Sequence, residues 1–307
     1  MKRILIALAV LLAVQVADAQ VKSPEAAKKA VLAAEEASQN PKKNTKVATW
    51  LKLATSYMDA YDAPVGNVLV NSPRVQLQMM MGNEKPIAEE EVVVDGMPFK
   101  KEVYANKNLY FDGTDVLRIV EVTVPVVEDP LAGALAAYAK AYEVDVKKSK
   151  EKDIVAGIQS IQQKYFNDGM NQYSLGDYKK AGELIVKAAA ASETAPNSVV
   201  DTTSLYNAGY IYWASKDFET AKNLFEKCLA NNYYYENGEV YAKLGDVYFN
   251  LGDKAKGVET LETGFVKFPQ SQSILIGLIN YYLESGENTD RLFELIAEAK
   301  KNEPENA

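Results

Sequence analysis

The sequence predicts an all-α fold, an α-solenoid of stacked helix pairs with a small β-rich insertion in the first pair. A short turn-like phrase recurs four times, at spacings that converge on about 34 residues. A segment with apolar residues at helical spacing precedes each phrase, and a second helical segment follows it. One N-terminal stretch differs, because two Asp-Gly pairs there separate runs rich in Val and Ile, which is typical of hairpins.

The repeated phrase marks the turn inside each helix pair. Its four copies are Gly176-Asp177-Tyr178, Lys216-Asp217-Phe218, Gly252-Asp253-Lys254 and Gly286-Glu287-Asn288. Upstream of the third copy, Tyr241, Leu244 and Tyr248 form one apolar stripe, and Gly245 lies on it. A glycine here lets two helices cross closely, so we expect the glycines of neighbouring units to be equivalent. Gly169 and Gly209 hold that place in the two preceding units.

The second helix of each unit repeats a small-large-small pattern. Its members are Ala181, Ile185 and Ala188, then Ala221, Phe225 and Cys228, then Gly257, Leu261 and Gly264. With Pro269 and Pro304 at the expected ends of second helices, these residues resemble the tetratricopeptide repeat family. The resemblance implies an array over 161–307, with units at about 161–195, 201–233, 237–269 and 272–304, that continues beyond residue 307.

The N-terminal region, residues 20–160, is predicted to hold a helical cap and an interrupted first pair. Ser23 and Pro24 are typical of a helix start, so a cap helix is expected from Pro24 to Ser38. Residues matching a first helix are Trp50, Leu53, Ala54 and Tyr57, and those matching its second helix, much later, are Ala134, Tyr138 and Ala141. The intervening insertion spans 62–129.

The insertion is predicted to be a small antiparallel sheet. Asp95-Gly96 and Asp112-Gly113 are hairpin turn pairs. The expected strands cover Val92–Val94, Phe99–Tyr104, Asn108–Phe111 and Val116–Val124. The segment Val75–Met81 fits either a loop or an edge strand, and its three consecutive methionines favour core packing under the sheet over an adaptable contact surface.

The first twenty residues predict export. Lys2-Arg3 precede an apolar run from Ile4 to Ala17, and the small residues of Ala17-Asp18-Ala19 favour cleavage after Ala19. Residues 1–19 are therefore predicted to be a signal peptide, and no membrane-spanning segment is expected after it. The predicted location is the periplasm, the cell envelope or the exterior.

Composition disfavours several classes of function. The formal net charge is -8, so nucleic acid is an unexpected partner. Histidine is absent and Cys228 is the single cysteine, which removes the usual centres of catalytic triads and the commonest metal ligands. No catalytic residue, metal or cofactor is therefore expected, and an enzyme would need chemistry by carboxylates alone.

A surplus aromatic stripe is the candidate binding site. Tyr206, Tyr210 and Trp213 recur at helical spacing on a second face of a helix whose first face is already apolar. The resemblance places this face in a concave groove, together with Phe166, Met170, Tyr173 and Phe249. An alternative, equally favoured, is that the side chains only pack one repeat against its neighbour.

The expected function is a non-catalytic scaffold or assembly adaptor that binds a protein or peptide in this groove. A glycan- or nutrient-binding protein is the alternative, because exposed aromatic rings also stack on sugars. A chaperone-tail clamp is not expected, since Asn167, Asn207 and Lys243 are the nearest candidates for it and no arginine joins them.

Overall fold

A computed structural model describes residues 21–302. The predicted signal peptide, residues 1–19, and the predicted continuation of the array beyond residue 307 lie outside these residues. The helices are α1 Pro24–Gln39, α2 Val47–Asp62, α3 Arg74–Met81, α4 Pro130–Val144, α5 Glu151–Ser174, α6 Tyr178–Ser192, α7 Thr202–Ala214, α8 Phe218–Ala230, α9 Glu239–Asn250, α10 Lys254–Lys267, α11 Gln272–Ser285 and α12 Thr289–Asn302. The strands are β1 Ala88–Val94, β2 Met97–Val103, β3 Lys107–Phe111 and β4 Leu117–Val122. The expected fold class, a helical solenoid with a small β insertion, is confirmed.

The recurring phrase has a simple structural reason. Its first residue, Gly176 in one unit and Gly252 in another, adopts a left-handed backbone with φ 84°, which ends the first helix. The aspartate that follows then caps the second helix. Asp177 accepts a hydrogen bond from the Lys180 amide at 3.0 Å, and Asp253 accepts one from the Lys256 amide at 3.1 Å.

The equivalent glycines lie where the two helices of a pair cross. A Cβ at Gly169 would lie 2.5 Å from Ile185, and one at Gly209 would lie 2.8 Å from Phe225. Both distances are far below van der Waals contact, so any side chain here would separate the helices. The crossing brings the first helix of each pair directly onto the large residue of the small-large-small pattern.

The first helix pair closes around the insertion. α2 and α4 pack as partners although residues 63–129 separate them in the chain. Gly133 of α4 lies against the Tyr57 ring of α2, where an added Cβ would be 2.7 Å from the ring. α1 covers the outer side of α2, with Ala27 and Val31 buried and Ser23 accepting from the Ala26 amide as its N-cap.

The insertion is a four-stranded antiparallel sheet in the order β1-β2-β3-β4. Asp95 and Gly96 both have positive φ, 50° and 75°, as the two-residue turn between β1 and β2 requires. One face of the sheet packs on α3 through Leu77. The other face contacts Leu175 at the end of α5, so the sheet leans on the helical array.

Three details differ from the sequence-based expectation. Val75–Met81 is helix α3, not a loop or an edge strand, because Pro73 sets an extended N-cap and only Leu77 needs burial. Met79 is 77% exposed, so core packing of the whole methionine run is wrong. The β3–β4 connection is a longer loop over residues 112–116, in which Asp115, not Gly113, takes the positive φ.

The helix that begins the regular array is longer than its repeat requires. α5 starts at Glu151, upstream of residue 161, where the sequence placed the first unit. The added turns bury Ile154 and Ile158 against the first helix pair. The first pair and the α5–α6 unit therefore share one apolar core.

Candidate functional site

The first helices of successive units lie side by side. Contacts join α7 to α9 and α9 to α11. We use the name first-helix groove for the surface that these three helices form, defined by Tyr210, Trp213, Lys243, Asp246, Phe249 and Tyr281. Phe249 also packs inside its own helix pair, because a Cβ at Gly257 of α10 would lie 2.3 Å from its ring.

Trp213 is the centre of this surface. Its indole N–H donates to Asp246 Oδ2 at 2.5 Å, which ties α7 to α9. The Lys243 ammonium group lies 3.8 Å from the centre of the Trp213 ring, a cation–π contact. The Tyr210 ring lies 5.4 Å from the Trp213 ring. Trp213 is half-buried, so it is both an inter-repeat contact and part of the accessible surface.

Charges surround the aromatic pair. Lys243 Nζ lies 3.4 Å from Glu239 Oε1, one turn earlier on α9. Burial is the main cause that raises the pKa of Tyr210, and the Glu239 carboxylate adds to it. The Tyr210 hydroxyl therefore stays protonated at neutral pH and can donate a hydrogen bond.

A second part of the groove lies between α9 and α11. Phe249 and Tyr281 stack with nearly parallel rings 5.4 Å apart. They border a cleft of about 300 Å³ that Asn280 and Glu284 also line. Asn280 is exposed, and among the described residues no group hydrogen-bonds its side chain, so its amide can meet a peptide backbone.

The structure distributes the predicted site residues over different environments. Tyr206 is only 6% exposed, because Tyr235 stacks on it at 4.1 Å. The expectation that Tyr206 lines an open surface is therefore wrong, and its ring packs one repeat against the next. Phe166, Met170 and Tyr173 are partly buried and contact the same core as Tyr206.

Tyr210, Trp213 and Phe249 are half-buried, so each keeps accessible surface. Their binding of a partner stays a prediction. Sequence reasoning did not single out Asp246 or Asn280. Asp246 could have been found from its position, one turn before Phe249 on the same face of α9.

Cys228 is a packing residue inside its helix pair. The thiol is fully buried, and burial raises its pKa to about 12. It occupies the small position of its second helix, as Ala188 and Gly264 do in sister units. Burial and the raised pKa both disfavour formation of the reactive thiolate at Cys228.

Comparison with known proteins identifies the repeats. A sequence model of the tetratricopeptide repeat family matches residues 202–233 and 238–264, which hold the α7–α8 and α9–α10 pairs. The α7–α8 and α9–α10 pairs are therefore tetratricopeptide repeats. Arrays of such repeats present extended surfaces to other proteins, so protein binding is the function that the family supports.

Solved structures of repeat proteins are similar to part of the chain. A crystal structure of MamA shares 20% identity with a TM-score of 0.40, over 58% of this chain and 91% of that one. MamA from Desulfovibrio magneticus RS-1 shares 15% identity with a TM-score of 0.39, over 55% and 95%. YrrB, described as a TPR protein with an unusual peptide-binding site, shares 19% identity with a TM-score of 0.38, over 57% and 79%. No curated protein sequence matches the chain.

No helix within residues 21–302 is both long enough and apolar enough to cross a bilayer. In the same part of the chain, no group of three Cys, Asp or Glu side chains is arranged to hold a metal ion.

Proposed function

We propose that this chain is a protein-interaction scaffold that receives a peptide segment or a helix in the first-helix groove. The observation that carries the proposal is the accessible aromatic surface at Trp213. Tyr210 flanks it, and Lys243 and Asp246 place one charge of each sign within the same helix face. Aromatic side chains beside polar groups are the usual anchors of protein interfaces.

The groove offers an occupant two kinds of contact. The Tyr210–Trp213 surface can take an apolar side chain, and the neighbouring cleft with Asn280 can pair a backbone amide and carbonyl group. Glu284 lines the same cleft, so a donor on the occupant gains a charged acceptor. The proposed partner is therefore an amphipathic segment that presents one apolar anchor.

The predicted signal peptide supports a site of action outside the cytoplasm. We propose that the chain works as a scaffold or assembly adaptor in the periplasm or at the cell envelope. Expression of the full chain, followed by fractionation and N-terminal sequencing, tests this part. Recovery in the cytoplasm with Met1 retained would contradict it.

The glycan-binding alternative is less well supported by the groove. A sugar ring needs a free aromatic face, and one face of Trp213 is covered by the Lys243 ammonium at 3.8 Å. The rings of Phe249 and Tyr281 stack, so each has one face covered by the other. The polar cleft beside these rings suits a peptide backbone better.

The experiment is selection from a displayed peptide library with the mature chain, residues 20–307. The double variant Tyr210→Ala with Phe249→Ala should lose the selected peptides. Phe293→Ala is the matched control, because Phe293 is 65% exposed on α12, outside the groove, and its loss removes a comparable ring. Equal binding of the selected peptides to the double variant and to Phe293→Ala would overturn the groove proposal. Selection of glycans instead of peptides would favour the alternative.

A further inference from the structure

A cavity lies where the β insertion meets the helical array. Its volume is about 490 Å³, and its walls come from the end of α2, the start of α4, strand β4 and helices α5 and α6. The insertion supplies one wall, so the cavity exists only in the unit that carries it. It lies on other elements than the first-helix groove.

The wall from α5 is polar where sister repeats are apolar. Counting from the crossing glycines, Asp168 stands where α7 has Ala208 and α9 has Leu244, both fully or almost fully buried. Gln172 stands one turn later, in the place of a tyrosine in both sister helices. Asp168 itself is only half-buried. A carboxylate in a position that sister units fill with an apolar side chain costs stability, so its presence in one unit points to a role other than packing.

Asp168 forms no ion pair with another residue in the part of the chain that the structure describes. Tyr61 Oη donates to its Oδ1 at 2.9 Å, which is the one hydrogen bond to its carboxylate from residues 21–302. In the same part of the chain, no lysine or arginine nitrogen lies within 4.0 Å of it. Burial raises the pKa of Asp168 to about 6, even though Tyr61 and two nearby lysines oppose that rise.

Gln172 is the second polar side chain of this wall. It is 8% exposed and lines the cavity. Within the part of the chain that the structure describes, its side-chain amide makes no hydrogen bond. The amide therefore keeps hydrogen-bonding capacity that a ligand in the cavity can use.

The charges of the cavity are unbalanced. Lys164 pairs with Asp62 at 2.5 Å, and Lys187 pairs with Asp129 at 2.7 Å, so these four groups neutralise one another. Glu121 on β4 accepts only from neutral donors, the Asn108 amide and the Tyr110 hydroxyl.

Two carboxylates, those of Glu121 and Asp168, therefore face the cavity without a paired cation. A single lysine, Lys180, is unpaired among the described lining residues, and it is exposed. The balance favours a cation as the occupant.

The remaining wall is aliphatic. Val65, Val68, Val120, Leu131 and Leu184 line it. An occupant whose charged end meets Asp168 would lay a hydrocarbon chain against these side chains, which favours burial of apolar surface.

We propose that this cavity binds an alkyl cation, a primary ammonium or guanidinium group on an aliphatic chain. The cationic head meets the Asp168 carboxylate and the Gln172 amide oxygen, and the chain lies on the valine and leucine wall. The cation is either a free small molecule or the side chain of a lysine or arginine on a partner. This site is independent of the first-helix groove and of the function proposed for it.

Calorimetric titration tests the proposal with named probes. The mature chain is titrated with n-pentylammonium and n-butylguanidinium chloride, and with n-pentanol and pentanoate as neutral and anionic probes of similar shape. The cations should bind, and the other two should bind at least tenfold more weakly.

Asp168→Asn should weaken cation binding at least tenfold, because it removes the charge and keeps the shape. Gln172→Tyr should also weaken it, because it restores the residue type of the sister helices and fills the cavity. Glu259→Gln is the matched control, since Glu259 is an exposed carboxylate on α10 and the variant changes the net charge by the same amount. Folding of each variant is checked by far-UV circular dichroism.

Two further probes distinguish the sources of the cation. Blocked tripeptides with a central lysine or arginine are titrated beside the free cations. Tighter binding of the peptides assigns the site to a partner's basic side chain, and tighter binding of the free cations assigns it to a small molecule. Equal binding of pentylammonium to the wild type and to Asp168→Asn, or no binding of any cation, overturns the proposal.

Discussion

The α5–α6 unit and the α7–α8 unit have the same glycine crossing, but the residues around it differ in polarity. In α7–α8 the residues around Gly209 are apolar and buried, and the pair gains stability from them. In α5–α6 the equivalent face carries Asp168 and Gln172 beside the insertion. The difference teaches that a repeat can give up apolar contacts in one unit when its neighbours supply a continuous core.

The largest expected effect concerns the apolar α7–α8 unit. Phe225→Ala should lower the free energy of unfolding by about 4 kcal/mol, because the ring is fully buried against the Gly209 crossing. Denaturant melts measure the loss. Phe293→Ala, which truncates an exposed ring, should cost under about 1 kcal/mol. Similar losses for the two variants would contradict the role given to the α7–α8 crossing.

In the polar α5–α6 unit, a substitution should raise the free energy of unfolding instead of lowering it. Asp168→Leu should raise the free energy of unfolding by about 2 to 3 kcal/mol at pH 7.5, because it removes a carboxylate whose pKa burial raises from 3.8 to about 6. The folded state of the wild type binds more protons than the unfolded state between these values. Stability of the wild type relative to the variant should therefore fall as the pH rises from about 4 to about 6, and stay constant above.

Melts of both proteins at a series of pH values check this expectation. Glu259→Gln, at an exposed site, should show no such pH-dependent difference from the wild type. A difference between wild type and Asp168→Leu that is the same at every pH would show that the carboxylate is not desolvated.

The first-helix groove spans the α7–α8 and α9–α10 units, and substitutions of Trp213 test the contact between them. Trp213→Ala should weaken binding of a library-selected peptide by about 2 kcal/mol and also lower stability, since it removes the hydrogen bond to Asp246. Trp213→Phe keeps an aromatic ring but loses the hydrogen bond and part of the indole surface, so it should cost about 1 to 2 kcal/mol of stability. Calorimetric titration beside melts separates the two effects. If Trp213→Ala destabilises the fold while peptide affinity stays unchanged, the tryptophan serves packing alone.

The smallest expected effect concerns the capping aspartate, which the units share. Asp177→Ala and Asp253→Ala should each cost about 1 kcal/mol, because each aspartate caps the second helix of its pair through one backbone amide. Thermal melts should give the same loss in the polar unit and in an apolar one. Clearly unequal losses would show that the turn, and not only the crossing, differs between the units.

Much of this comparison could be predicted from the sequence. The turn phrase, the crossing glycines and the Asp95-Gly96 hairpin follow from local backbone requirements, which one sequence displays. Helix α3 could not be recognised in the same way, because it is short and buries a single residue, Leu77, so it has no apolar stripe.

The candidate sites could be predicted from the sequence only in part. The Tyr210–Trp213 surface follows from helical spacing, but burial of Tyr206 depends on Tyr235, which lies in a loop that no periodicity positions. Asp168 could have been noticed by aligning the units on their glycines. The cavity itself could not, because strand β4 closes it from a distant part of the chain.

The interrupted first pair has a consequence for the order in which the molecule assembles. The later pairs join helices that are neighbours in the chain, so they can close quickly, whereas α2 must find α4 across residues 63–129. A connection of this length adds little to the equilibrium cost of closing the pair, since that cost grows only with the logarithm of loop length. Its effect is kinetic. The helix pair that is synthesised first is therefore expected to be the last to form, and pulse-labelling hydrogen exchange should show amides of α7 to α10 protected before those of α2.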